Sequence, residues 1–197
     1  MKTIVFCSEK GGVGKTSLAS ELYASLARDG VNTALVNMDP QYGDGMKRTV
    51  ESKEDPDVAV VDLPGYLDKR MLETLGHADL VVVPTRATAL NLEPLVRTLR
   101  VVREATKAPV CVVVNAVASR RVSMRKFSDW LKSWDGLGEA VVTQVPESAA
   151  FANAEMAGTS VIELLRRRPS AYAEDVLPSV LLLVNWCRVQ AGLAPEE

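Results

Sequence analysis

The chain has 197 residues, of which 47% are hydrophobic, so it has the material for one sizeable core. A formal net charge of −2 excludes global attraction to nucleic acid or anionic lipid, so any such binding must come from a local patch. The three cysteines, Cys7, Cys111 and Cys187, form no CxxC pair and read as reduced residues rather than metal ligands, and no apolar run is long enough for a membrane span or a signal peptide.

In chain order, the first apolar run is Ile4–Phe6, and the glycine-rich segment Lys10 to Thr16, KGGVGKT, follows it directly. Leu18, Leu22 and Leu26 then recur at helical spacing, with Gly30 placed to end that helix. A strand–loop–helix of this kind is a phosphate cradle. Glycines let backbone N–H groups wrap the phosphates, and the helix N-terminus favours the negative charge. Gly11, Gly12, Val13, Gly14, Lys15, Thr16 and Ser17 are therefore the expected nucleotide-binding residues, with Lys15 on the β- and γ-phosphates and the Thr16 hydroxyl on Mg²⁺.

A second apolar run, Ala34–Val36, leads to Asp39, and a third, Val58–Val61, leads to Asp62 and then Leu63-Pro64-Gly65. Both aspartates are candidate metal ligands, and a strand-end Asp capping a turn is the competing reading for each. The polar stretch 40–56 between them reads as a short helix or a loop. Leu80–Val83 is the fourth strand. Arg86 follows it with two readings, facing the site or facing a partner subunit. Leu92, Leu95, Leu99 and Val102 mark a helix, Val110–Val114 the fifth strand, and Phe127, Trp130 and Trp134 another helix. Val141–Val145 is the sixth strand, and the last helix is expected from about Val176 to Gln190 with Pro178 in its first turn. Continuous rather than alternating apolar runs, separated by helices, predict an α/β fold with a mostly parallel central sheet flanked by helices. Its ligand site is expected beyond the carboxyl ends of the strands. No linker or repeat interrupts the chain, so residues 1–197 are expected to form a single P-loop NTPase domain.

The segment EKGGVGKTS has an additional lysine, Lys10, at the head of the loop. Together with MDPQ at 38–41 and VVDLPG at 60–65, it resembles the deviant Walker A ATPases of the ParA/MinD family. Ala78-Asp79-Leu80 through Pro84, Leu90 to Leu95, Asn115 after the fifth strand, and Val145-Pro146 with Ala154 to Val161 extend the resemblance over nearly the whole chain. The resemblance implies a homodimer that sandwiches ATP, with Lys10 reaching the partner's phosphates and Asp39 positioning the attacking water. It also implies that Asp62 supports Mg²⁺ and that Asn115 and Pro146 lie beside the adenine.

Within that family the short spacing from Asp39 to Asp62 looks like the small plasmid-type ParA proteins, and no helix-turn-helix segment is expected before the loop. The tail after Val180 has one basic residue, Arg188, among many apolar ones, so a packed helix rather than a membrane-surface helix is expected. Two clusters suit backbone phosphates of DNA, read without sequence preference: Arg120, Arg121, Arg125 and Lys126, with Lys132 further on, and Arg166 and Arg167 beside Arg168. The expected function is a cytoplasmic ATPase, nucleoid-associated when ATP-bound, that partitions or positions DNA or another cargo and is stimulated by a ParB-like partner. A recruitment protein with little turnover is the alternative.

Overall fold

The computed structural model describes residues 1–38, 55–66, 69–118, 122–167 and 173–196. Six strands form one sheet: β1 (Lys2–Phe6), β2 (Thr33–Asn37), β3 (Val58–Asp62), β4 (Leu80–Arg86), β5 (Val110–Val117) and β6 (Val141–Pro146). Their order across the sheet is β2-β3-β1-β4-β5-β6, and each neighbouring pair is parallel. All six expected strands are present. The stretch 40–56 falls almost wholly outside the described residues.

The helices are α1 (Lys15–Arg28), α2 (Lys69–Gly76), α3 (Leu92–Ala105), α4 (Val122–Ser133), α5 (Ala150–Met156), α6 (Val161–Arg167) and α7 (Ala173–Gln190). Alternation along each strand divides the core into two layers. Ile4, Phe6, Val82 and Val113 pack with Leu18, Leu22 and Leu183 on the side of α1, α5, α6 and α7. Val5, Val61, Val83 and Val112 pack with Leu75, Leu99 and Leu131 on the side of α2, α3 and α4. These strands are covered on both faces, which is why they read as unbroken apolar runs. Each fully buried Leu or Val side chain contributes about 1.5–3 kcal/mol of transfer free energy.

Gly30 ends α1 as its position predicts. At φ 76° it lets its own N–H reach the Ala27 carbonyl (3.1 Å) and the Val31 N–H reach the Leu26 carbonyl (3.0 Å). This is a Schellman stop. Two boundaries differ from expectation. The last helix begins at Ala173, so Pro178 sits in its second turn rather than its first. A proline there removes one helical hydrogen bond; beside it, the Ser179 hydroxyl donates to the Asp175 carbonyl at 2.8 Å. Trp134 lies past the end of α4, at the start of a 3-10 turn (Asp135–Leu137), and stacks on Trp130 with centroids 5.7 Å apart. Its side chain continues the α4 stripe although its backbone has left the helix.

The chain runs from β1 outward to β2, returns to β3, and then crosses to β4 on the other side of β1. Successive connections leave β1 and β4 in opposite directions. Their carboxyl ends therefore border a crevice, the usual ligand position in an open parallel sheet.

Candidate functional site

The segment from Ser8 to Gly14 leaves β1 at the edge of this crevice. Several contacts hold it in shape. The Cys7 N–H donates to the Val82 carbonyl at 3.0 Å, and the Leu63 N–H to the Phe6 carbonyl at 3.0 Å, pinning the end of β1 between β4 and β3. The Glu9 N–H donates to the hydroxyl of buried Thr98 on α3 at 3.1 Å, and Arg97 donates to the Glu9 carboxylate at 2.6 Å. Arg97 also bonds Glu93 at 2.6 Å, so the head of the loop is tied to one face of α3. None of these anchors was legible in the sequence, because α3 begins some eighty residues after the loop.

Glycine is required at two points of the loop. Gly12 and Gly14 have φ of 71° and 94°, conformations that a side chain disfavours. At Gly14 space is also missing: a Cβ there would stand 2.1 Å from Asn115 Nδ2. Asn115 Nδ2 donates to the Val13 carbonyl at 2.8 Å, so the end of β5 lies over the loop. Next to it Ala116 adopts φ 52°, where β5 and β6 lose regular register between Val114 and Val117. Non-glycine backbone in this region gathers at sites that the surrounding fold over-determines.

Lys15 opens α1 and is buried, while Val13 is buried beneath the loop. The Thr16 hydroxyl donates to Asp62 Oδ2 at 2.5 Å, and Asp62, at the end of β3, is 2% exposed. Hydroxyl and carboxylate oxygens adjacent to a phosphate cradle are the hard donors that Mg²⁺ prefers. Among the described residues no three His, Cys, Asp or Glu side chains gather as a metal cluster. A cation at Thr16 and Asp62 would therefore complete its shell with water and phosphate oxygens. A Cβ at Gly65 would lie 3.7 Å from both the Gly11 nitrogen and Lys15 Nζ, so the backbone after β3 approaches the loop closely. Burial pushes the Cys7 thiol up to about 12 against the pull of Lys15, which keeps it neutral and out of the chemistry.

Together these groups enclose a cleft of about 830 Å³. Gly11, Gly12, Gly14, Lys15, Thr16 and Ser17 line one end, with Gly65 and Tyr66 beside them. Asn115, Ala116, Pro146, Glu147, Ser148 and Phe151 line the other end, and Arg86 also reaches the wall. The expected phosphate and base residues thus share one cleft, with Val13 beneath it. Tyr66, Glu147 and Ser148 were not anticipated, since loop residues carry no periodic signal, nor was Phe151, whose helix α5 is only seven residues long.

Lys10 is exposed and is not among the residues lining this cleft. Asp39, Arg120 and Arg121 lie outside the described residues, as does the side chain of Arg125 on α4. Lys126 is exposed on that helix. The α6 arginines are engaged within the fold: Arg166 pairs with the buried Glu196 at 2.9 Å, and Arg167 pairs with Glu163. His77 is exposed just past α2, its Nδ1 2.8 Å from the Glu73 carbonyl. Among the described residues no helix is long and apolar enough to cross a membrane.

The family model for the CobQ/CobB/MinD/ParA nucleotide binding domain matches residues 4–161. The VirC1 protein of Rhizobium rhizogenes is 27% identical over 220 aligned positions, which cover 96% of this chain and 92% of the relative. The maintenance of carboxysome distribution protein A of Halothiobacillus neapolitanus is 27% identical over 213, covering 90% and 97%. Among solved structures, a complex of Cyanothece McdA with ATP superposes with a TM-score of 0.77 at 16% identity, covering all of this chain and 98% of that one. At that identity the superposition speaks for the fold.

Proposed function

The chain belongs to the CobQ/CobB/MinD/ParA nucleotide-binding family, and from that membership and its own cleft we propose that it is a ParA-type ATPase which dimerises on ATP and positions a cargo along DNA. The observation that carries the reading is the contrast in burial between the two lysines of the loop, Lys10 and Lys15. Lys15 is buried at the cleft wall, while Lys10 stands exposed outside its own cleft. An exposed lysine at the head of a phosphate loop suits a site in a second copy of the chain.

In this reading ATP lies with its triphosphate in the 8–14 loop and its adenine among Asn115, Pro146 and Phe151. Thr16 and Asp62 would hold Mg²⁺, which would offset phosphate charge there, and Asp39 would orient the attacking water. Lys15 and the partner's Lys10 neutralise developing phosphate charge; positioning and charge suffice, without a covalent intermediate. Residues 1–197 act as one domain. Dimer closure brings α4 from each copy into a DNA-binding face that uses Arg120, Arg121, Arg125 and Lys126. Arg166 and Arg167 of α6 form the second cluster offered to DNA, and each would exchange its carboxylate, Glu196 or Glu163, for a phosphate. Hydrolysis, stimulated by a ParB-like or adaptor protein, releases the dimer from the nucleoid to the cytoplasm. One relative is named for carboxysome distribution, so the cargo class includes protein assemblies as well as DNA.

The test combines sedimentation and phosphate release. With ATP the wild-type chain should sediment as a dimer and retain duplex DNA at low salt, with retention falling steeply as salt rises. Lys10→Ala should bind nucleotide as a monomer. A wild-type chain that stays monomeric with ATP refutes the dimer. Dimerisation without partner-stimulated phosphate release would identify a recruitment protein rather than a cycling ATPase.

A further inference from the structure

Arg86 ends β4, directly across the β1–β4 crevice from the phosphate loop. Leu80 and Val82 of β4 and Cys111 and Val113 of β5 point to the α1 side of the sheet. Continuing that alternation places Arg86 and Asn115 on the same side, and the two are register partners. Arg86 is exposed and lines the cleft, and among the described residues its guanidinium has no ion-pair partner. Lys15 is the other cation among the described lining residues, and it is buried behind the loop. A triphosphate laid along this cleft would have a cation on its inner side and, without Arg86, none of this chain's on its open side.

The geometry points to Arg86 as a second phosphate-binding cation within the same subunit, closing the open side of the nucleotide's phosphate chain opposite Lys15. The planar guanidinium fork suits paired phosphate oxygens, and its position at the switch point puts it between the loop and the base end of the cleft. This assignment rests on the nucleotide reading above and adds to it a residue of specificity: Arg86 favours longer phosphate chains over shorter ones.

The experiment is titration of wild-type, Arg86→Ala and Arg86→Lys chains with fluorescent ATP, ADP and AMP at fixed salt, together with the melting temperature of each nucleotide-free chain. Arg86→Ala should weaken ATP by about tenfold, ADP by less and AMP hardly at all, the low end for a charged hydrogen bond because the site is open to solvent. Arg86→Lys should recover part of the ATP affinity, and all three nucleotide-free chains should melt alike. Undiminished ATP affinity in Arg86→Ala, or an equal loss for all three nucleotides, overturns the assignment. A loss seen only above the concentration at which the chain dimerises places Arg86 in the partner's site and overturns the contact within one subunit. If the wild-type chain binds none of the three, the nucleotide reading itself fails and this one falls with it.

Discussion

Replacing Gly14 by alanine probes the steric logic of the loop. The residue sits at φ 94°, and the added methyl would stand 2.1 Å from Asn115 Nδ2. Holding an L-residue in that backbone region costs about 1–2 kcal/mol. The methyl also forces Asn115 aside, breaking its 2.8 Å hydrogen bond to the Val13 carbonyl, which is worth about 1 kcal/mol. The loop conformation that cradles phosphate is thus disfavoured by about 2–3 kcal/mol, which corresponds to about 30- to 150-fold in nucleotide affinity. Fluorescent-nucleotide titration reads that loss. Asn115→Ala alone removes that hydrogen bond together with the side chain's place beside the base, and leaves the loop backbone untouched. In the Gly14→Ala background it should cost nothing further, because Asn115 has already been displaced. The double variant should therefore bind like Gly14→Ala alone, with a coupling of about 1 kcal/mol between the two sites. Losses that simply add would show that Asn115 does not lie over Gly14. Gly11→Ala is the control: its Cβ would meet nothing within 4 Å, so the nucleotide-free chain should melt unchanged.

Three further outcomes follow from the same structure. Burial raises the Glu21 carboxyl to about 7 even though the Val161 N–H donates to it at 2.7 Å. A folded pKa above the unfolded one means that the native state binds the extra proton between pH 4.5 and about 7, so this group's contribution falls as pH rises through that window. Glu21→Gln should accordingly melt higher than wild type at pH 8, by up to about 3 kcal/mol, with the advantage gone below pH 4.5; parallel melting curves at every pH would refute it. Glu196→Ala strips the buried partner from Arg28, Arg166 and Ser25, and should cost about 2–4 kcal/mol, a fall of roughly 4–16 °C in melting temperature. Chelating divalent cations should weaken ATP binding to the wild type by about tenfold or more but leave Asp62→Ala little changed, measured by titration with and without EDTA.

Much of the fold was legible because its signals are local. Six short apolar runs, the four central ones buried on both faces, announce six parallel strands, and Leu18, Leu22, Leu26 and Gly30 mark both the course and the end of α1. The phosphate loop was legible for a different reason: Gly14 and Lys15 answer to backbone geometry and charge that only those residue types meet. What escaped was set by distant partners. Glu9 is held by Arg97 and Thr98, Glu21 meets the start of α6, and Glu196 is gathered by α1 and α6, pairings that no window of sequence contains. Arg86 was ambiguous for the same reason, since the face it occupies depends on the register of β4 with β5. Pro178 shows the limit of boundary signals: a helix stabilised by packing Val176, Val180, Leu183 and Val184 into the core can begin a turn earlier than its proline suggests.

The central place of β1 has a consequence for how the protein is made. Lys2 pairs with Val58 and Ile4 with Leu80, so β1 must wait for partners synthesised much later than itself. The cleft waits longer still, for Asn115 and Pro146. Long-range pairing of this kind folds slowly, and until it forms, the apolar residues of β1 have no sheet to join. A ligand stabilises only the state that binds it. A nucleotide therefore cannot rescue an early nascent chain; it rewards completion, drawing later strands into place around a loop translated before them.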